Sequence, residues 1–229
     1  MNALIDQIRT LLGARYPILL LVTFEEDRMQ RVLANICGEE KRALYQWTRT
    51  QGLLSFDGTE VADTCGAERA LLAIDAVEDP AVFVFSDLDP DLSDPVVIRR
   101  LRDLVRTMGP KKQALCLLSD QVMVPRELAK DVAILDVPLP AVDDVSALLA
   151  SLEKRHKLKI PADRREAFVR GTLGLTEREI RRLYSRILIG GARFADEDLR
   201  ELSEEKRRAI RKSRFLEFWD TMGTMKQVG

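Results

Sequence analysis

Several stretches bring together residue types that can act on phosphate, metal ions or polyanions. The first is Val82-Phe83-Val84-Phe85-Ser86-Asp87-Leu88-Asp89, an apolar run ending in acids. A buried strand that ends in carboxylates can hold Mg²⁺ through water, and a second acid can polarise an attacking water. Asp87 and Asp89 can equally cap the turn into a following helix. The second stretch follows the apolar run Ile18 to Phe24 and reads Glu25-Glu26-Asp27-Arg28. A phosphate loop of the form GxxxxGK[ST] needs glycine for close backbone approach and lysine for charge. This turn has neither, and three carboxylates stand where phosphates would lie. No GxGxxG occurs in the chain.

The third stretch is the basic run from Lys206 to Arg214, which includes Arg207, Arg208 and Arg211. It could contact a phosphate backbone. Acids crowd in just before it (Asp196, Glu197, Asp198, Glu201, Glu204, Glu205), and Glu204 to Arg208 has the favourable i,i+4 order of an exposed helix. The fourth is Phe215-Leu216-Glu217-Phe218-Trp219. Phe215, Phe218 and Trp219 either pack back on a helical region or form an interface, because such a cluster seldom stands free in water.

Other chemistries fail on inventory. Cys37, Cys65 and Cys116 are three in number, widely spaced and without a CxxC, which disfavours a disulfide framework or a zinc knuckle. The single histidine, His156, lies in a charged run and reads as a solvated helix residue. There is no GxSxG, HExxH or EF-hand loop. The 36 basic and 37 acidic residues leave a formal charge of −1, so no global field attracts nucleic acid or an anionic membrane. Aromatics at 6% make a base-stacking surface improbable. The N-terminus lacks the basic and apolar regions of a signal peptide, and Ile18 to Val22 is far too short to span a bilayer. These features lead us to expect a soluble, cytoplasmic protein.

The elements that must position these residues alternate. Helical spacing covers 2–13, 25–37, 66–77 and the stretch opened by Asp94-Pro95. Apolar runs at 17–24, 81–85, 114–118 and 133–137, with the β-rich 43–48, read as five strands of a parallel sheet buried on both faces. The stretch with Gly52, Asp57 and Gly58 reads as a loop. Beyond Pro140 the pattern is all helical, with Thr176 and Glu179 placed as a capping box.

Five strands followed by a small helical bundle resemble the layout of an AAA+ ATPase module. Leu115 to Asp120 resembles its sensor 1 strand. Gly174 to Ile180 resembles the turn that opens a lid helix. More narrowly, Arg15-Tyr16-Pro17, Glu25 to Arg28, Trp47 to Leu53, Asp94 to Leu104 and Lys206 to Phe215 resemble a bacterial and plastid AAA ATPase family named for a hypothetical chloroplast reading frame. The resemblance covers nearly the whole chain, but only the family's degenerate N-terminal half. It implies an α/β fold: a five-stranded parallel, P-loop NTPase-like sheet between helices, then a small all-α lid. The implied division is a core lacking Walker A at 1–140, a lid-like subdomain at 141–192, and a charged helical linker at 193–229 leading to an AAA ATPase domain. Met225 to Gly229 resembles the run-in to that domain. Ser86 falls where the family places its Mg²⁺ aspartate, Asp87 at its catalytic glutamate, and Asp120 near the sensor 1 polar residue. With Asp89 these are vestigial positions; no residue matches the Walker lysine. No catalytic residue, cofactor or metal is therefore expected in this chain, with ATP and Mg²⁺ belonging to the following domain. The expected role is a non-catalytic regulatory or interaction module, partnered by that domain and by an unidentified protein, with no membrane. Two alternatives stay open: a divergent ATP-binding hydrolase without a Walker lysine, and a nucleic-acid-binding module using Lys206 to Arg214.

Overall fold

The computed structural model describes residues 1–157, 159–189, 194–208 and 211. It divides into two compact units, Met1–Val137 and Pro138–Gly229.

The first unit is built on a seven-stranded sheet. In chain order it runs α1 (Asn2–Gly13), β1 (Ile18–Val22), α2 (Glu26–Glu40), β2 (Ala43–Thr48), β3 (Gly52–Ser55), β4 (Glu60–Val61), α3 (Ala67–Asp75), β5 (Ala81–Ser86), α4 (Pro95–Met108), β6 (Ala114–Ser119) and β7 (Val132–Asp136). The spatial order is β4-β3-β2-β5-β6-β1-β7. The five strands expected from the sequence all form and pair in parallel. Alternate residues feed two separate cores. Ile18, Leu20, Phe83, Phe85, Leu115 and Leu117 pack with α3 and α4. Leu19, Leu21, Val82, Val84, Cys116 and Leu118 pack with α1 and α2. Burial on both faces is why these strands read as unbroken apolar runs. In the second core, burial pushes the Cys37 thiol up to about 12, against a smaller opposing effect of Arg42.

The expected sheet is corrected in one respect: it is mixed and seven-stranded, not five-stranded and parallel. The stretch read as a loop forms β3 and β4, antiparallel to β2 and to each other. A tight turn joins them, with Gly58 at φ 88° and Asp57 Oδ1 accepting the Thr59 amide at 3.0 Å. Thr64 anchors the meander: its hydroxyl accepts the Leu53 amide at 2.8 Å, and its carbonyl accepts Trp47 Nε1 at 2.7 Å. Gly52 is required beside it. Its φ is 72°, and a Cβ there would come within 2.8 Å of Thr64 Oγ1.

The second unit contains α5 (Val142–His156), α6 (Ala162–Thr172) and α7 (Glu177–Ile189), with a further helix over 196–208. Val145, Leu148, Leu149, Phe168, Ile180, Tyr184 and Ile187 form its core. The Tyr184 hydroxyl donates to the Phe168 carbonyl at 3.1 Å. Thr176 and Glu179 cap α7 reciprocally, the Thr176 amide reaching Glu179 Oε2 at 2.9 Å. His156 is exposed at the end of α5. Composition sets 193–229 apart as a linker, yet its described part contributes to this core: Leu202 is only 1% exposed, and a Cβ at Gly171 would collide with it. Leu202→Ala should therefore destabilise the helical unit by about 2–5 kcal/mol, the range for a buried leucine. Urea denaturation measures this, and a cost within the range of surface substitutions would mean that the helix over 196–208 does not pack as described.

Candidate functional site

In an open α/β sheet the carboxyl ends of the strands are where ligands bind. Here β6 lies between β5 and β1, so their ends stand side by side: Ser86 pairs with Leu118, and Val22 with Ser119. The Thr23 amide donates to the Ser119 carbonyl at 2.7 Å, and the Asp87 amide to the Leu118 carbonyl at 3.3 Å. These bonds hold the loops that carry the candidate acids.

The chain passes from β1 into α2 through Thr23, Phe24 and Glu25 alone. Thr23 Oγ1 accepts the Glu25 amide at 2.9 Å and tightens the turn. Phe24 is thrown outward and is 73% exposed. The Glu25 carboxylate turns inward to Arg28, 2.5 Å away, with both side chains less than a tenth exposed. Glu26 and Asp27 occupy the first turn of α2, where the helix dipole favours anions. The head of α2 thus meets three of the chain's own carboxylates, one of them buried in an ion pair.

At the end of β5, Ser86 is buried, and its hydroxyl has no hydrogen-bond partner among the described residues. Strand alternation places it on the α1 and α2 side with Val82 and Val84. Asp87 is exposed and adopts a left-handed φ of 54°. Asp89 accepts the Ser119 hydroxyl at 2.8 Å. That hydroxyl in turn accepts the Gln121 amide at 3.2 Å. Burial holds the Asp89 carboxyl above the usual range; the Ser119 hydrogen bond opposes this, and the neighbouring charges of Asp120 and Asp87 add to it. Neither Asp87 nor Asp89 caps α4. Asp94 does, accepting the Val96 amide at 2.8 Å ahead of Pro95. Among the described residues no group of three or more His, Cys, Asp and Glu is placed to hold a metal ion.

Ser86, Asp87, Asp89 and Asp120 lie at or just beyond the ends of β5 and β6. The residues of the basic run lie in the other unit. Lys206, Arg207 and Arg208 continue the helix over 196–208, and Arg211 is exposed. Arg208 pairs with Glu205 at 2.8 Å, and Arg186 pairs with Glu201 and Glu205. Arg214, Phe215, Phe218 and Trp219 lie outside the described residues. Sequence reasoning missed two partners at the edge, Arg28 and Ser119. The i,i+3 spacing of Glu25 and Arg28 was a signal for the first; nothing local marks the second.

Two outcomes follow. Arg28→Met removes the buried guanidinium that pairs with Glu25 and should lower stability in urea denaturation. Adding Glu25→Gln should recover much of that loss, and an unaltered stability in the single variant would contradict the pair's role. For Asp89 the folded carboxyl is raised, so ionisation opposes folding at neutral pH and the penalty is relieved as pH falls through the raised value. Asp89→Asn keeps an acceptor for Ser119 and should melt higher than the parent at neutral pH. The gap should close toward the ordinary aspartate range; a gap that is constant with pH would rule this out.

Comparison with known proteins agrees with this architecture. The family model described as "SpoVK-like AAA ATPase, N-terminal domain" matches residues 4–137, and "SpoVK-like AAA ATPase, second domain" matches residues 143–213. Curated relatives include the uncharacterized AAA domain-containing protein ycf46 of Trieres chinensis, 26% identical over 98% of this chain and 46% of its own length. Its counterpart in Guillardia theta is 25% identical over 98% and 45%. The chain thus spans about half the length of these relatives. Among solved structures, the FIGL-1 AAA domain in complex with ADP superimposes with a TM-score of 0.61 at 13% identity, over 84% of this chain and 71% of that one. A RuvB variant from Thermotoga maritima gives 0.58 at 13% identity, over 89% and 68%. The fold is therefore the AAA+ P-loop NTPase-like α/β fold, and the chain belongs to the SpoVK-like AAA ATPase family, matching its N-terminal and second domains.

Proposed function

We propose that this chain is a non-catalytic regulatory or interaction module of an AAA ATPase whose ATP-hydrolysing domain lies beyond Gly229. The observation that carries the reading is the junction of β1 and α2. A phosphate-binding loop needs several backbone amides free to wrap an anion at the head of a helix. The three residues Thr23, Phe24 and Glu25 leave little backbone for this, and the Glu25–Arg28 pair fills the place with a carboxylate.

The other positions point the same way. Ser86 supplies a hydroxyl where the family resemblance calls for a magnesium carboxylate. The residues present do not fit a magnesium nucleotide, so no step is routed through one. ATP and Mg²⁺ are assigned to the following domain. On this reading the helical unit takes the place of a lid, and the following domain is the chain's first partner, with a further protein partner beyond it. Titration calorimetry of the chain with Mg-ATP tests the reading. No saturable heat is expected at nucleotide concentrations up to the millimolar range. Micromolar binding would overturn it and favour a divergent nucleotide hydrolase.

A further inference from the structure

We propose that the solvent face of α4 is a docking surface for an acidic helical segment of a partner protein. α4 buries Val97, Leu101, Leu104 and Met108. At 3.6 residues per turn the opposite face carries Arg99, Arg102 and Arg106, with Arg100 on the flank. The i, i+3, i+7 spacing aligns the three on one stripe about 10 Å long. Asp103 is the one acid among them, and Arg99 takes it as a hydrogen-bonded ion pair. That bond holds the Asp103 carboxyl below the usual range, with the charges of Arg99, Arg106 and Arg100 contributing. Arg100, Arg102 and Arg106 form no ion pair among the described residues. Asp75 on the neighbouring α3 is engaged by Thr107 instead.

One acid, Asp103, does not offset this many guanidinium groups along one helix face. Arg102 and Arg106 are like charges at i,i+4, which oppose helix formation. A chain of net charge −1 thus concentrates more guanidinium groups on one helix face than its single acid there pairs. Val96, 46% exposed near the head of the stripe, adds an apolar contact. Guanidinium forks suit carboxylates in bidentate geometry. A helix with carboxylates at the same i, i+3, i+7 rise matches the stripe along its length. A nucleic acid fits less well. Few phosphates would be neutralised over this distance, Asp103 interrupts the stripe, no aromatic stands on this face, and the whole chain provides no long-range attraction. The inference stands on α4 alone and does not depend on whether the strand-end edge binds a nucleotide.

The test uses the full chain and a labelled, alanine-based helical peptide with glutamates at i, i+3 and i+7, followed by fluorescence anisotropy. Saturable binding that weakens with added salt is expected, together with its loss when the glutamates become glutamines. Arg102→Glu with Arg106→Glu should weaken binding at least about tenfold, while Arg155→Glu on α5 leaves it unchanged. Both stripe residues are exposed, so the doubly substituted chain should keep the parent's melting temperature; Arg102→Gln with Arg106→Gln serves as a second variant. Equal binding by the variant chains, or no saturable binding at low salt, overturns the proposal. So does tighter binding of duplex DNA that is lost with the same substitutions, which would assign the stripe to phosphates.

Discussion

The junction between β1 and α2 depends on an ion pair held out of water. Removing two charges from solvent costs more than a surface pair ever returns, and the cost is met only by close geometry and further hydrogen bonding. Glu25 and Arg28 have the close geometry at 2.5 Å, and the Thr23 hydroxyl fixes the turn that delivers Glu25. The pair spans the first turn of α2, whose N-cap residue is Glu25, where the helix meets the strand ends. The rest of the edge is arranged around that fixed point. Ser119 bonds to Thr23 through its carbonyl and to Asp89 through its hydroxyl, so the middle strand ties the acids of the β5 loop to the β1 turn.

The sheet makes such a junction affordable. Two apolar cores, one on each face, hold the five parallel strands independently of anything bound at their ends. The stacked pairs Tyr45–Phe83 and Trp47–Phe85, with centroids 5.2 and 4.8 Å apart, fasten β2 to β5 and give the added meander a firm base. A scaffold this well filled can keep its shape while the residues at its rim change. That is consistent with low sequence identity to solved AAA domains alongside a shared fold.

Much of this is legible in the sequence. Doubly buried strands such as Ala81–Ser86 announce themselves as unbroken apolar runs, and Asp94-Pro95 and Thr176 to Glu179 carry their caps in their own side chains. β3 and β4 were not legible. Four and two residues long, with Ser55 and Glu60 among them, they owe their strand geometry to Thr64 and Trp47, which lie outside both strands. Leu202 was hidden for a similar reason: with only Leu199 beside it in a helix of charged residues, it gives no long stripe. At the edge, Ser86 and the three acids Asp87, Asp89 and Asp120 could be named from the sequence. Their separation into an exposed Asp87 and an Asp89 bonded to Ser119 depends on strand order, which local sequence does not contain.

The strand order also has a consequence for how the chain is made. β1 is synthesised before both of its neighbours in the sheet, Ala114–Ser119 and Val132–Asp136. Until those segments have been synthesised, Ile18 to Val22 has no backbone partner on either side, although it is among the most apolar stretches of the chain. The first unit therefore cannot close on both sides of β1 until Val132–Asp136 has been made. During translation β1 would rely on α1, α2 or a chaperone to shield a strand whose place is already defined but not yet available.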